Sequence, residues 1–163
     1  MRRLVLMRHA KSSWDSPMLS DHERPLNARG KRSAAALGDW LRTNAIMPDQ
    51  ALVSDAARTR ATLAGLDLSL EPSLLSRLYH AGPETMFETL RDATGSCVLM
   101  IGHNPGIAEF ASFIVSYQPD HPRFYDYPTG ATLVADFDIE EWTELRQGSG
   151  QLHAFVVPRE LEG

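Results

Sequence analysis

Short apolar runs that alternate with helical segments constrain the fold of this chain most. The runs LVLM (4–7) and CVLMIG (97–102) are uninterrupted, which is the pattern of strands covered on both faces by other elements. QALVSD (50–55), ATLVADFD (131–138) and QLHAFVVP (151–158) predict three more strands. The segment SLLSRLYHAG is ambiguous, with SRLY (76–79) as its best candidate for extended structure.

The segments between these strands have helical spacing and helix-start signals. Asn27 is a candidate N-cap for a helix from about Arg29 to Asn44, and AARTRATLAGL (56–66) predicts a second helix. Pro83 suits the first position of a third helix, and Asn104 with Pro105 would begin a fourth. We therefore predict an α/β fold, a three-layer α/β/α domain over 1–163 with a central sheet that is mainly parallel or mixed.

Composition indicates which binding partners and which cellular compartment suit this chain. The chain has 163 residues, a formal net charge of −5 and a single cysteine, Cys97. The acidic balance argues against general binding to nucleic acid or anionic membranes, and a lone cysteine in a predicted strand favours an inert thiol in a reducing compartment. No apolar run approaches the ~20 residues of a membrane span. We expect a cytoplasmic protein without a signal peptide.

Three predicted strands end in basic side chains. The first strand is followed directly by Arg8 and His9, the second leads into a helix whose first turn carries Arg58, and the third is followed by His103. Ligands gather at the carboxyl ends of strands in such sheets, and a helix N-terminus after His103 would also favour an anion. This conjunction predicts a pocket for a phosphate-like anion that contains a nucleophile.

The same residues also fit roles without phosphate chemistry. Arg58 and its neighbour Arg60 could be solvated helix residues, and His103 could be a structural imidazole. A zinc or iron site could combine His9 and His103 with Asp15 or Asp21. Guanidinium groups nearby would repel a metal ion, however, and the sequence contains no HxH or HExxH spacing. We therefore predict no metal and no other cofactor.

The motifs resemble those of the histidine phosphatase (phosphoglycerate mutase-like) superfamily. LVLMRHAKS resembles its first histidine signature, usually Arg-His-Gly, with Ala10 in place of the glycine; LVSDAARTRAT and VLMIGHNPGI resemble its second arginine and second histidine segments. RPLNARG, FVVPREL and the short length are most similar to SixA-type phosphohistidine phosphatases. The resemblance implies a phosphoglycerate mutase-like fold in which His9 becomes phosphorylated.

The same resemblance implies roles for the other motif residues. Arg8, Arg58 and His103 would hold the phosphoryl oxygens, and Asn104 would contribute to substrate binding. Arg58 is favoured over Arg60 because it lies four residues after Ser54, where the family motif places its arginine.

The general acid is the main departure from the family pattern. Many members carry a Glu or Asp after the middle strand or directly after the second histidine, where this chain has Tyr79 and Asn104. Glu84, Asp15 and Asp21 remain as candidates. A missing acid favours phosphohistidine, whose nitrogen leaving group can depart already protonated, over an alkyl phosphate.

Three functions therefore stand as hypotheses. The first is a phosphatase that acts on protein phosphohistidine through a phosphohistidine enzyme intermediate. The second is a phosphomonoesterase or mutase that acts on small phosphorylated metabolites, and the third is a phosphate-binding module without catalysis.

Basic residues in or beside the first loop either form a rim for a protein substrate or merely solvate the start of a helix: Lys11, Arg24, Arg29, Lys31 and Arg32.

Overall fold

The computed structural model describes residues 1–162, and its strands and helices alternate as the sequence predicts. In chain order they are β1 (Arg2–Arg8), α1 (Ala28–Thr43), β2 (Gln50–Ser54), α2 (Ala57–Leu66), β3 (Pro72–Leu75), α3 (Pro83–Arg91), β4 (Cys97–Gly102), α4 (Gly106–Ile114), β5 (Thr132–Phe137), β6 (Gln151–Val156) and α5 (Pro158–Leu161). Short 3₁₀ turns cover Asp21–Glu23, Ser76–Leu78 and Trp142–Glu144.

The strands form one mixed sheet in the order β3-β2-β4-β1-β5-β6. The first four pair in parallel, whereas β5 and β6 are antiparallel at one edge. Arg8 at the end of β1 is in register with Gly102 at the end of β4, and β2 pairs with the other side of β4. The carboxyl ends of β1, β4 and β2 are therefore neighbours at one edge of the sheet.

Helices cover both faces of this sheet. Along β1, Leu4 and Leu6 face the side covered by α3 and α4, while Val5 and Met7 face the side covered by α1 and α2. All four side chains are fully buried, which explains why the run is continuously apolar instead of alternating. The predicted three-layer α/β/α architecture is confirmed.

The loop after β1 is anchored at the start of α1. Asn27 caps α1 as predicted, since its side-chain oxygen accepts the Gly30 N–H at 2.8 Å. The Asn27 N–H in turn donates to the Lys11 carbonyl at 3.0 Å. A Cβ at Gly30 would overlap that same carbonyl oxygen. The glycine thus lets α1 approach the loop that follows Arg8 and His9.

Two local predictions were wrong. The extended stretch is Pro72–Leu75, whereas Ser76–Leu78 within SRLY turns into a 3₁₀ helix because it must leave the sheet edge. The N-cap of α4 is Pro105 and not Asn104. The Asn104 side-chain amide instead donates to the carbonyls of Asp126 and Tyr127, at 2.8 and 3.2 Å.

Among residues 1–162, no helix has the length and apolar character needed to cross a membrane.

Candidate active site

A pocket of about 190 Å³ opens at the carboxyl ends of β1, β2 and β4. All four residues that the sequence predicts as catalytic line it, together with Asn104. Arg60 is exposed and lies outside it. The lining side chains are Arg8, His9, Lys11, Ser12, Trp14, Arg24, Arg58, His80, His103, Asn104 and Thr129.

His9 is held as one defined tautomer. Its side chain is 5% exposed, and Nδ1 lies 2.7 Å from the carbonyl oxygen of Ala10. A carbonyl only accepts, so Nδ1 carries the proton and donates it there. Nε2 then keeps its lone pair, and its contact in the protein is Arg58 Nε–H at the long distance of 3.4 Å.

Arg58 reaches the pocket from the first turn of α2 and is fixed by Asp21. Its terminal nitrogens donate to the Asp21 carbonyl oxygen at 2.7 Å and to the Asp21 carboxylate at 3.0 Å. Arg24 also donates to that carboxylate, at 3.2 Å, and the Tyr79 hydroxyl donates to it as well. Because Asp21 pairs with the outer nitrogens, the Nε side of Arg58 stays directed toward His9.

Arg8 is held by the loop that contains FYDYPTG. Its terminal nitrogen donates to the Tyr127 carbonyl at 3.1 Å, and the Tyr127 hydroxyl donates to the Leu6 carbonyl at 2.6 Å in the core. Phe124 and Tyr127 are fully buried, whereas Thr129 lines the pocket. This segment therefore supplies both core residues and pocket wall.

His103 is bound by Ser54 at the end of β2. Its Nε2 lies 2.8 Å from the Ser54 hydroxyl oxygen, which also accepts the Ala56 N–H at 3.4 Å. Within residues 1–162 the Ser54 O–H has no other acceptor than Nε2, so we assign it as the donor in this contact and place the His103 proton on Nδ1. Nδ1 is buried and has no hydrogen-bond partner among residues 1–162.

Unpartnered polar atoms are concentrated at this pocket. Among residues 1–162, five buried side-chain atoms have no hydrogen-bond partner within the protein, and three belong to pocket residues: Arg8 Nε, His103 Nδ1 and Asn104 Oδ1. Buried donors without acceptors are costly in free energy. An anion with several oxygens would give the two donors the acceptors that they lack.

Burial and positive charge keep both imidazoles neutral. Burial, and then the charges of Arg8 and Arg58, lower the pKa of His9 to about 3, although the Ala10 carbonyl opposes this shift. Burial lowers the pKa of His103 to about 3 as well, with further contributions from His9 and Arg58. The two rings lie 5.3 Å apart between centroids. At neutral pH the pocket thus contains an unprotonated imidazole nitrogen among permanently charged guanidinium groups.

None of the three carboxylic acids predicted as proton donors lines the pocket. Asp15 and Glu84 lie outside the lining, and both are exposed to solvent. Asp21 is close, but hydrogen bonds from Tyr79 and Arg58 hold its pKa well below the ordinary range. It is ionised at neutral pH and cannot donate a proton. Its contacts instead hold Arg58 in place.

Asn104 lines the pocket, but its amide N–H groups are already used. Both donate to the carbonyls of residues 126–127, so Oδ1, an acceptor, is the atom that remains. A carbonyl oxygen does not bind a phosphoryl oxygen. The structure therefore gives no support to phosphoryl binding by Asn104, and this part of the predicted set remains a prediction.

Several residues of the pocket were not predicted from the sequence. His80 lines it, 3.6 Å from the Asp21 carboxylate, and was overlooked beside Tyr79 in SRLYHAG. Trp14, from the segment SWDSPM, covers the guanidinium of Arg24 at 3.4 Å from its ring centroid.

The predicted basic rim is only partly at the pocket. Lys11 and Arg24 line it. Lys31 and Arg32 are exposed elsewhere, where they solvate the start of α1.

The structure also places the residues considered for metal binding and thiol chemistry. Within residues 1–162, no group of three or more His, Cys, Asp or Glu side chains is arranged to hold a metal ion. Cys97 is half-buried at the start of β4, and burial raises the pKa of its thiol to about 11. The thiol is therefore protonated at neutral pH, which makes it a poor nucleophile.

Comparison with known proteins defines the family. Residues 4–80 match the model of the histidine phosphatase superfamily (branch 1). An uncharacterized protein of Mycobacterium tuberculosis is 32% identical over 160 residues, which cover 94% of this chain and 100% of that protein. The chain belongs to the histidine phosphatase superfamily.

Solved structures place the chain more narrowly by fold. A candidate SixA phosphohistidine phosphatase from Nakamurella multipartitia matches with a TM-score of 0.85 at 30% identity and covers 96% of both chains. A second candidate SixA, from Agrobacterium tumefaciens, matches with a TM-score of 0.78 at 24% identity, over 96% of this chain and 99% of that one. The fold is phosphoglycerate mutase-like, and the chain is SixA-like within the superfamily.

Proposed function

We propose that this protein is a phosphatase that hydrolyses phosphohistidine on a protein substrate, with His9 as the nucleophile. One observation carries the proposal. His9 Nδ1 is committed to the Ala10 carbonyl, so the lone pair of Nε2 faces a pocket lined by cationic side chains. An imidazole in this tautomer is ready to attack phosphorus without first losing a proton.

The reaction has two displacements. His9 Nε2 attacks the phosphorus in line, the phosphorus–nitrogen bond to the substrate imidazole breaks, and that imidazole leaves. Water then attacks the phosphorylated His9, the bond to Nε2 breaks, and inorganic phosphate is released. The long Arg58 contact to Nε2 gives way in the first step, which frees the Nε–H for a phosphoryl oxygen.

Hydrogen-bond donors already in position stabilise the negative charge on the equatorial oxygens of the transferred phosphoryl group. Arg8 Nε and His103 Nδ1 have no hydrogen-bond partner in the described part of the chain, and Arg58 is fixed by Asp21. Preorganised donors of this kind stabilise a transition state without reorganisation, and each contributes roughly 3–4 kcal/mol.

The leaving group is inferred from the composition of the pocket. No carboxylic acid lines it among the described residues, and an alkoxide leaving group needs a proton. An imidazole can take up its proton before it leaves. A phosphomonoesterase acting on small phosphate esters is the second candidate, and it is favoured by His80, a side chain in the pocket wall that can carry a proton.

The test compares the wild type with His9→Ala on a phosphohistidine protein and on a panel of alkyl phosphates. We expect phosphate release from the phosphohistidine protein to fall by roughly 10³-fold or more in His9→Ala. His153→Ala, an exposed histidine on β6, is the matched control and should behave as the wild type. Wild-type protein quenched in alkali should carry an acid-labile phosphoryl group that His9→Ala lacks.

Equal release by the wild type and His9→Ala would refute the nucleophile assignment. Rapid hydrolysis of alkyl phosphates with an inert phosphohistidine protein would establish the second candidate instead.

A further inference from the structure

A larger groove adjoins the catalytic pocket and shares part of its wall. It encloses about 760 Å³, against about 190 Å³ for the pocket, and both are lined by Arg8, Lys11 and Thr129. The loop after β1, the start of α1, the segment 121–129 and α5 form its walls. We call it the basic groove. A substrate whose phosphoryl group enters the pocket has this groove directly beside it.

Positive charge in the basic groove is not neutralised by its own acids. The carboxylates of Asp126 and Glu160 are engaged locally, with Arg123 at 2.9 Å and His121 at 3.1 Å. Besides Arg8, which reaches into the catalytic pocket, three cations line the groove and make no ion pair with any of residues 1–162: Lys11, Arg29 and Arg159. The whole chain carries a formal charge of −5, so the groove is a positively charged region on a protein of negative net charge.

The size and the lining of the groove indicate a polypeptide. The three unneutralised cations come from three separate elements, namely the loop after β1, α1 and α5. Between them, Pro122, Pro128 and Pro158 present apolar rings. The groove is far larger than the pocket. Separated cations and apolar surface at this size suit a chain segment carrying several carboxylates better than one further phosphate group.

We propose that the basic groove binds an acidic segment next to the phosphohistidine of the protein substrate. This inference rests on the proposed function and adds the chemistry by which the substrate is selected. Rim charges act mainly on encounter and on discrimination between partners. The groove should therefore change kcat/KM for acidic substrates much more than it changes the chemical step.

Two phosphohistidine peptides of equal length test the proposal. One carries Asp and Glu around the phosphohistidine, and the other has Asn and Gln at those positions. For the wild type at low ionic strength, we expect kcat/KM to favour the acidic peptide by about tenfold, and this preference should shrink as salt is added. Equal kcat/KM for the two peptides would overturn the proposal.

Arg29 and Arg32 form a matched pair for the variants. Both are exposed on the first turns of α1, but only Arg29 lines the groove. In the double variant R29Q/R159Q the ratio of the two kcat/KM values should fall from about tenfold to about twofold, because Lys11 remains, whereas R32Q should keep the wild-type ratio. The same fall in R32Q would show that general charge attracts the peptide and would refute a specific groove.

A binding measurement separates the groove from the catalytic proposal. The affinity of a fluorescein-labelled acidic peptide without phosphate is measured by fluorescence anisotropy. This peptide should bind the wild type more tightly than R29Q/R159Q, whereas the neutral peptide should bind both proteins equally. Loss of this difference would refute the groove even if phosphohistidine is hydrolysed.

The two proposals can therefore fail independently. If the wild type released no phosphate from either peptide, the proposed function would be refuted. The anisotropy measurement would still decide whether the groove binds an acidic segment. Tighter binding of a small bisphosphate than of the acidic peptide would overturn the ligand class.

Discussion

Arg58 depends on a residue 37 positions earlier in the chain. The Asp21 carboxylate and carbonyl together accept two of its donors, and Arg24 and Tyr79 fix Asp21 in turn. Without this support, an arginine on the first turn of a helix would sample many rotamers at a cost of up to ~2 kcal/mol when it is ordered. Asp21 is therefore a positioning residue for the catalytic pocket.

His80 is the residue whose role the proposed function leaves to experiment. We expect His80→Gln to lower kcat/KM for an alkyl phosphate by roughly 10²-fold if the imidazole protonates the leaving oxygen, a typical size for general acid catalysis. Hydrolysis of p-nitrophenyl phosphate, whose leaving group needs little protonation, should change by less than about threefold. Steady-state kinetics on both esters measures the difference.

His22→Gln is the control for this prediction. Like His80, His22 lies beside Tyr79, with its ring 4.8 Å from the tyrosine ring, but it contacts Asp55 and does not line the pocket. Equal losses on both esters in His80→Gln would indicate a structural role and contradict proton donation.

The four residues predicted as catalytic meet in one pocket for a structural reason. Arg8, His9, Arg58 and His103 follow strands directly or lie on the first helical turn after one, so the sheet alone brings them to one edge. By contrast, Tyr79, His80 and Asp21 lie in connecting segments whose paths depend on tertiary packing. No local pattern indicates that Asp21 would meet Arg58, so the sequence alone leaves Asp21 as a candidate general acid.

At the scale of elements, Gly30 links the first loop to α1. In a helix, Gly→Ala normally adds about 1 kcal/mol of stability. At Gly30 the new Cβ would meet the Lys11 carbonyl, which is backbone and cannot rotate away. The cost of this overlap should exceed the gain in helix propensity, and we expect Gly30→Ala to lower the free energy of unfolding by roughly 1–3 kcal/mol. Urea denaturation measures this change.

The activity of Gly30→Ala should fall as well, because the displaced loop carries Lys11 and Ser12 into the pocket wall. Gly82→Ala is the control for an added Cβ without overlap, since that Cβ would meet only the flexible end of Glu84 at 3.4 Å. Because Gly82 is the N-cap of α3, its own loss of stability should be that of a weakened cap and smaller than the loss in Gly30→Ala. Equal stability of Gly30→Ala and the wild type would show that the loop and α1 can separate freely.

Helix starts were predictable where the capping groups are local. The Asn27 cap and Pro83 at the first turn of α3 act within three residues of the helix start. Asn104 has the same residue type as Asn27 but is bound to the carbonyl of Asp126, far along the chain. A tertiary contact therefore overrides the capping preference at α4.

The basic groove belongs to the scale of the whole molecule. Its walls come from residues near both ends of the chain, because α5, which follows the last strand, packs beside α1. The cluster between Lys11 and Arg32 leaves two interpretations open in the sequence, a basic rim or solvation of the start of a helix. Arg29 and Arg159 meet at the groove only because α1 and α5 pack together, and no local pattern in the sequence indicates this contact.

Stability of the whole molecule should depend on pH through the two buried imidazoles. In the unfolded chain, His9 and His103 each have the ordinary histidine pKa of about 6.5. In the folded protein the pKa of each is about 3. The unfolded chain therefore binds more protons between these values. The contribution of both residues is fully present above pH 6.5 and is lost as the pH falls toward 3.

Between about pH 7 and pH 5 we expect the free energy of unfolding to fall by roughly 2–4 kcal/mol from this pair. Urea unfolding in buffers without phosphate measures it, because a bound anion would itself stabilise the folded state. His9→Gln removes one of the two titrating groups, so its stability should fall about half as steeply over the same interval, whatever its absolute value. An unchanged slope in His9→Gln would mean that His9 is not held neutral in the folded protein. The unprotonated Nε2 on which the proposed chemistry depends would then lack its basis.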